Sequence, residues 1–144
     1  MQEKQSKAPL VLMEQVIMVL VFALAAALCV QAFVKARSIS VHLSEENHAM
    51  NVSQTLAETL KAYHGDLDAV CDRIGGEVKE DGIILYYDSD WNPASAEEEA
   101  GFEASFVQKD IGKLCSYGEI TVSDAENGRE ISSMEVAWQE VEDE

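Results

Sequence analysis

Residues 10–64 read LVLMEQVIMVLVFALAAALCVQAFVKARSISVHLSEENHAMNVSQTLAETLKAYH. The run contains no glycine and no proline, yet Pro9 stands immediately before it and Gly65 immediately after. Proline fits the first turn of a helix and glycine suits its end, so the two bracket one helix. At 1.5 Å per residue that helix is about 80 Å long, far more than a small domain needs. Val11 to Val34 is almost wholly apolar, whereas Lys35 to His64 is polar with an apolar stripe. The pattern predicts a polar head (1–9), a membrane-crossing helix (10–34), its continuation into water (35–64) and a small folded domain (65–144).

From Val16 to Val30 the only polar side chain is the thiol of Cys29. The run reaches the ~20 residues that span hydrocarbon. Glu14, Gln15 and Gln31 lie near its ends. Lys4 and Lys7 flank one side, and Lys35 and Arg37 the other, so the count of basic flanks does not fix orientation. The rival reading is a secretory signal cut near Ala25–Ala27. The apolar run is long and keeps helical character past that point, which favours a retained anchor.

The chain has 144 residues and a formal net charge of −17. From Ala36 to Glu144 there are 7 Lys/Arg against 25 Asp/Glu, a charge of −18. That argues against nucleic acid as a direct partner, since phosphate binding needs basic surface. It also disfavours docking on anionic headgroups. The plain consequence of the charge is a well-solvated surface. The polar part, about 110 residues, suffices for one modest core. Cys29 reads as a small apolar residue of the span. Cys71 and Cys115 form a candidate disulfide if the polar part is extracytoplasmic.

Beyond the span, Val52-x3-Leu56-x3-Leu60 places three apolar residues on one helical face, the face expected to pack on the domain. Asp66 caps a short helix, Leu67 to Ile74, which Gly75-Gly76 ends. Ile83 to Tyr87 reads as a strand opened by an Asp81-Gly82 turn, and Asp88 to Ala100 as a loop carrying the acidic triplet Glu97–Glu99. Phe102, Ala104 and Phe106 alternate as a second strand. Leu114 to Ser123 and Arg129 to Gln139 give a third and fourth. A two-residue Asn127-Gly128 loop would put their apolar sets on opposite faces, which a half-buried sheet does not tolerate. A three-residue loop, Glu126-Asn127-Gly128, instead sets Ile120 opposite Met134 and Gly118 opposite Val136, with a bulge and a left-handed Gly128. The tail, Glu140 to Glu144, reads as a frayed acidic end. The expected fold is α+β: a long helix packed on an antiparallel meander of about four strands.

No catalytic constellation stands out, so no enzyme activity, metal or cofactor is expected. His42 and His48 are six apart and do not share a helix face, and His64 sits alone at a helix end. Asp88, Asp90 and Asn92 alternate in DSDWN but lack the late bidentate glutamate of a calcium loop. Trp91 and Trp138 read as packing residues. Glu14 is singled out. A carboxylate in an apolar membrane segment costs a few kcal/mol at the centre and less near an end. Either it stays wet beside the positive helix N-terminus, or it meets a group on a neighbouring subunit.

Leu10-Val11-Leu12-Met13-Glu14, followed by an unbroken apolar run and a long amphipathic helix, resembles the N-terminus of type IV pilins and pseudopilins. The resemblance covers about residues 4–64. It implies a short basic leader, a prepilin peptidase cut before Leu10, and a β-sheet on the second half of the helix. It also implies that Glu14 pairs with the new N-terminal amine of an adjacent subunit and sets register during assembly. The family cuts after glycine, and this chain has Pro9 there. Without the cut there is no amine at Leu10 to meet Glu14.

These readings lead to a single-pass membrane protein, head cytoplasmic and acidic body extracytoplasmic. It would assemble through its apolar helix with other pilin-like subunits of an envelope filament or a secretion or DNA-uptake apparatus. The alternative is a monomeric, uncleaved anchor displaying an acidic binding module.

Overall fold

The structure, a computed structural model, describes residues 7–95, 99–111 and 115–139. Most of the 1–9 head, Glu97 and Glu98 of the acidic triplet, Leu114 and the acidic tail from Glu140 lie outside those residues. The chain divides into two compact units, Met1–His42 and Leu43–Glu144.

Helix α1 runs from Ala8 to Ala62. Its start is two residues earlier than the sequence suggests, and Pro9 still falls in the first turn, where its missing N–H costs nothing. Its end is a Schellman motif. Gly65 N–H donates to Leu60 O at 2.9 Å and His64 N–H to Lys61 O at 3.3 Å. His64 takes the left-handed position with φ 52°, and Gly65 follows at φ 79°. Helix α2, Leu67–Ile74, starts where the sequence places it, because the Asp66 carboxylate accepts from Ala69 N–H. Gly75 N–H closes it on Cys71 O.

Among the described residues, six strands form one open antiparallel sheet: β1 (Glu77–Lys79), β2 (Gly82–Tyr87), β3 (Pro93–Ala94), β4 (Phe102–Ile111), β5 (Cys115–Asp124) and β6 (Glu130–Gln139). The order is β1-β2-β4-β5-β6, with β3 also on β2. The expected count of about four omits β1 and β3. Both are too short to show a period-two pattern, and β3 lies inside the stretch read as loop. The first hairpin turns through Glu80-Asp81, not Asp81-Gly82, since Lys79 pairs with Gly82. Gly82 belongs to the strand because β4 presses on it. A Cβ there would sit 1.7 Å from Phe106 O.

The β5–β6 register is the one the apolar faces demand, with Ile120 opposite Met134 and Gly118 opposite Val136. The loop itself is one residue longer than expected. Asp124 N–H bonds Arg129 O, and Gly128 N–H, at φ 68°, bonds Asp124 O, leaving Ala125–Gly128 as the loop. The extra residue is absorbed inside β6, where the register shifts at Val122/Ser123 and leaves Ile131 unpaired.

Two cross-strand rows make the inner face: Ile83, Phe106, Ile120 and Met134, then Leu85, Ala104, Val122 and Ser132. Within the second unit this face is covered by Ala49, Ser53, Leu56, Ala57 and Leu60 of α1 and by Val70 of α2. Burying Leu56 and Leu60 fully stabilises the fold by about 2 kcal/mol each.

Candidate functional site

In the first unit, every large apolar side chain from Leu10 to Val34 is 54–75% exposed. An 18-residue window here has mean hydropathy 2.7, and none of it is buried among the described residues. The exposure runs round the whole circumference, so this is not an amphipathic surface helix with a core-facing stripe. The helix is long and apolar enough to cross a membrane.

Glu14 sits on this helix with Leu10, Val11, Ile17 and Met18 at the positions three and four residues away. None of them offers a charge or a hydrogen bond. Pro9 and Leu10 lie within α1, and the first helical bond, Val11 N–H to Lys7 O at 3.2 Å, encloses the bond between them.

In the second unit, Leu56 and Leu60 are buried and Val52 is half-buried against the same cluster. Sequence reasoning missed Ala49, Ser53 and Ala57, which share that face. The signal was present, since small residues at intervals of four let a helix approach a sheet closely. Apolarity alone does not reveal it.

Cys71 and Cys115, the candidate disulfide, are both free thiols. Helix α2 contacts β1 and β2, while Cys115 lies on β5, with β4 between. A disulfide needs Cα atoms within about 7 Å. Burial, helped by Asp68 and Asp72, pushes the Cys71 thiol above its ordinary value.

The DSDWN segment is a self-contained turn. Asp88 Oδ1 accepts from the N–H groups of Asp90 and Asn92, both at 2.9 Å, and Oδ2 accepts from Asn92 Nδ2 at 3.2 Å. These donors, Asn92 foremost, hold the Asp88 carboxyl below its ordinary value. The carboxylate oxygens serve the turn. The turn sets Trp91 at φ 64°, unusual for a bulky residue. Its ring lies between Phe102, 4.0 Å away, and His48 of α1, 5.5 Å away, with Tyr87 tilted against it. This stack, unseen in the sequence, ties the β2–β4 loop to α1 within the second unit. Among the described residues no group of three His, Cys, Asp or Glu is placed to hold a metal ion.

On the outer face, Lys109 occupies the β4 bulge and pairs with Glu119, which also accepts from Ser133 Oγ at 2.9 Å. The Lys109 and Ser133 donors draw the Glu119 carboxyl down, and Glu119 raises the Lys109 ammonium. Arg129 donates to Glu45 at 2.9 Å. These exposed contacts each contribute little.

The chain matches no model of a known protein family, no curated protein and no solved structure.

Proposed function

We propose that this chain is a single-pass membrane subunit of pilin-like type, built to assemble laterally through its N-terminal helix. The observation that carries the reading is the apolar run from Leu10 to Val34, exposed all round among the described residues, in a chain whose second unit has a core of its own. Exposed apolar surface of that extent requires lipid or another protein. The order of long helix, then antiparallel sheet on its second half, agrees with the resemblance at Leu10–Glu14. On this reading the head is cytoplasmic and the acidic body extracytoplasmic. The work is mechanical, in a filament or a secretion or DNA-uptake apparatus, with no reaction catalysed by this chain.

The test is alkaline extraction and crosslinking of the full chain in its native membrane, with N-terminal sequencing of the product. Retention in the pellet with a ladder of crosslinked multimers is expected. A soluble product beginning after Ala27 overturns it. One observation favours the monomeric anchor instead: Pro9 stands where the family has glycine, and it lies inside the first helical turn. A membrane-retained chain without multimers establishes that second reading.

A further inference from the structure

Lys7 and Glu14 are seven residues apart at the start of α1. Lys7 O accepts the first helical hydrogen bond, so the Lys7 Cα already follows the helical path. Seven residues at 3.6 per turn bring the two side chains within about 20° of the same face, about 10.5 Å apart along the axis. That separation keeps them apart within one chain, and neither takes part in the ion pairs among the described residues. The same face continues through Met18, Val21, Ala25, Leu28 and Ala32.

We propose that Lys7 of one copy is the ion-pair partner of Glu14 on a second copy, the two helices parallel and offset by one heptad. The inference rests on the assembly reading above, and it assigns the partner that reading leaves open in an uncleaved chain. Charge complementarity chooses the occupant: a carboxylate in an apolar segment is stabilised by a nearby cation, and the identical neighbour supplies one on the matching face. The same offset sets Met18 beside Ala25, Val21 beside Leu28 and Ala25 beside Ala32, so the apolar face stays in contact. The small residues let the backbones approach. The contact is heterologous. Each copy gives its Glu14 to one neighbour and its Lys7 to the next, so the series does not close and grows as a polar filament.

Charge reversal tests this with the full chain in membranes, scored by the crosslinked ladder at equal membrane abundance. Lys7→Glu and Glu14→Lys are each expected to lose the ladder above monomer, and the double variant Lys7→Glu/Glu14→Lys to recover it. Ladders that persist in both single variants overturn the pairing and leave the assembly reading intact, as does a double variant that fails to recover. A mature chain beginning at Leu10 likewise overturns it, because Lys7 is then removed. No ladder from the unaltered chain overturns the assembly reading, and the pairing falls with it.

Discussion

The Trp138 indole lies directly against Gly65: a Cβ added at Gly65 would stand 2.5 Å from Trp138 Nε1 and 2.6 Å from Cε2 and Cζ2. The last strand thereby closes on the end of the long helix. The same ring meets Phe106 at 5.8 Å, and Phe106 in turn lies over Gly118, where a Cβ would stand 2.4 Å from Cε2. Two glycines thus make room for two aromatic rings of the core.

Gly65→Ala is therefore expected to destabilise the second unit by two routes. The residue sits at φ 79°, which costs a side-chain-bearing residue about 1–3 kcal/mol. The methyl also displaces the indole, at about 1–3 kcal/mol of overpacking. Urea unfolding of the full chain in detergent, followed by near-ultraviolet circular dichroism, should show a midpoint shift corresponding to roughly 2–6 kcal/mol. An unchanged midpoint would remove the contact from the account of the core.

Ala49→Leu should also destabilise, although it adds apolar surface to a helix. Ala49 is fully buried, so three extra carbons must displace neighbours at about 1–3 kcal/mol. The control is Met50→Leu, one position on and 45% exposed, which should be near neutral. If both behave alike in the same unfolding assay, the close approach of α1 at Ala49 is wrong.

That contrast marks where the sequence was legible. Long, strongly patterned elements could be read: the helix from its missing Gly and Pro, and β5–β6 from the requirement that Ile120 and Met134 share a face. Elements set by neighbours could not. Strands β1 and β3 exist because β2 offers them an edge. Ile131 is displaced by the geometry of the hairpin, not by its own identity. The small-residue face at Ala49, Ser53 and Ala57 carries no apolar periodicity. The His48–Trp91–Phe102 stack joins residues 43 and 11 positions apart, which no local pattern reports. On the candidate assembly segment, Glu14 stood out as the one charge in an otherwise apolar run, whereas Lys7 gained meaning only as a member of the same helical path.

Acid should loosen the 88–92 turn. The folded Asp88 carboxyl lies below its ordinary value of 3.8, so the stability it contributes is fully present above that value. It is lost as pH falls through the lowered folded value. Glu119, below its ordinary 4.5, adds in the same direction. Lys109, raised above 10.5, acts at the other end: its contribution is complete below 10.5 and lost as pH rises through the folded value. Tryptophan fluorescence should report Trp91 leaving its stack below about pH 4, the ordinary carboxylate range. In Asp88→Asn, which keeps an acceptor oxygen and removes the titrating charge, that acid transition should vanish. If it persists unchanged, another group governs the turn.

The two cysteines of the folded unit should label at different rates. Cys115 is exposed at the start of β5, whereas Cys71 is half-buried against the core beside Asp68 and Asp72. Alkylation proceeds through the thiolate, and Cys71 is both less accessible and held above its ordinary value of 9.0. Brief iodoacetamide treatment of the native full chain at pH 8, read by peptide mass spectrometry, should modify Cys115 first. Mild oxidation beforehand should leave both sites open to the reagent, since β4 separates β5 from the strands that α2 covers. Recovery of a peptide joining Cys71 to Cys115 would mean that α2 can leave β1 and β2 and cross to β5. The packing of the short helix would then have to be redrawn.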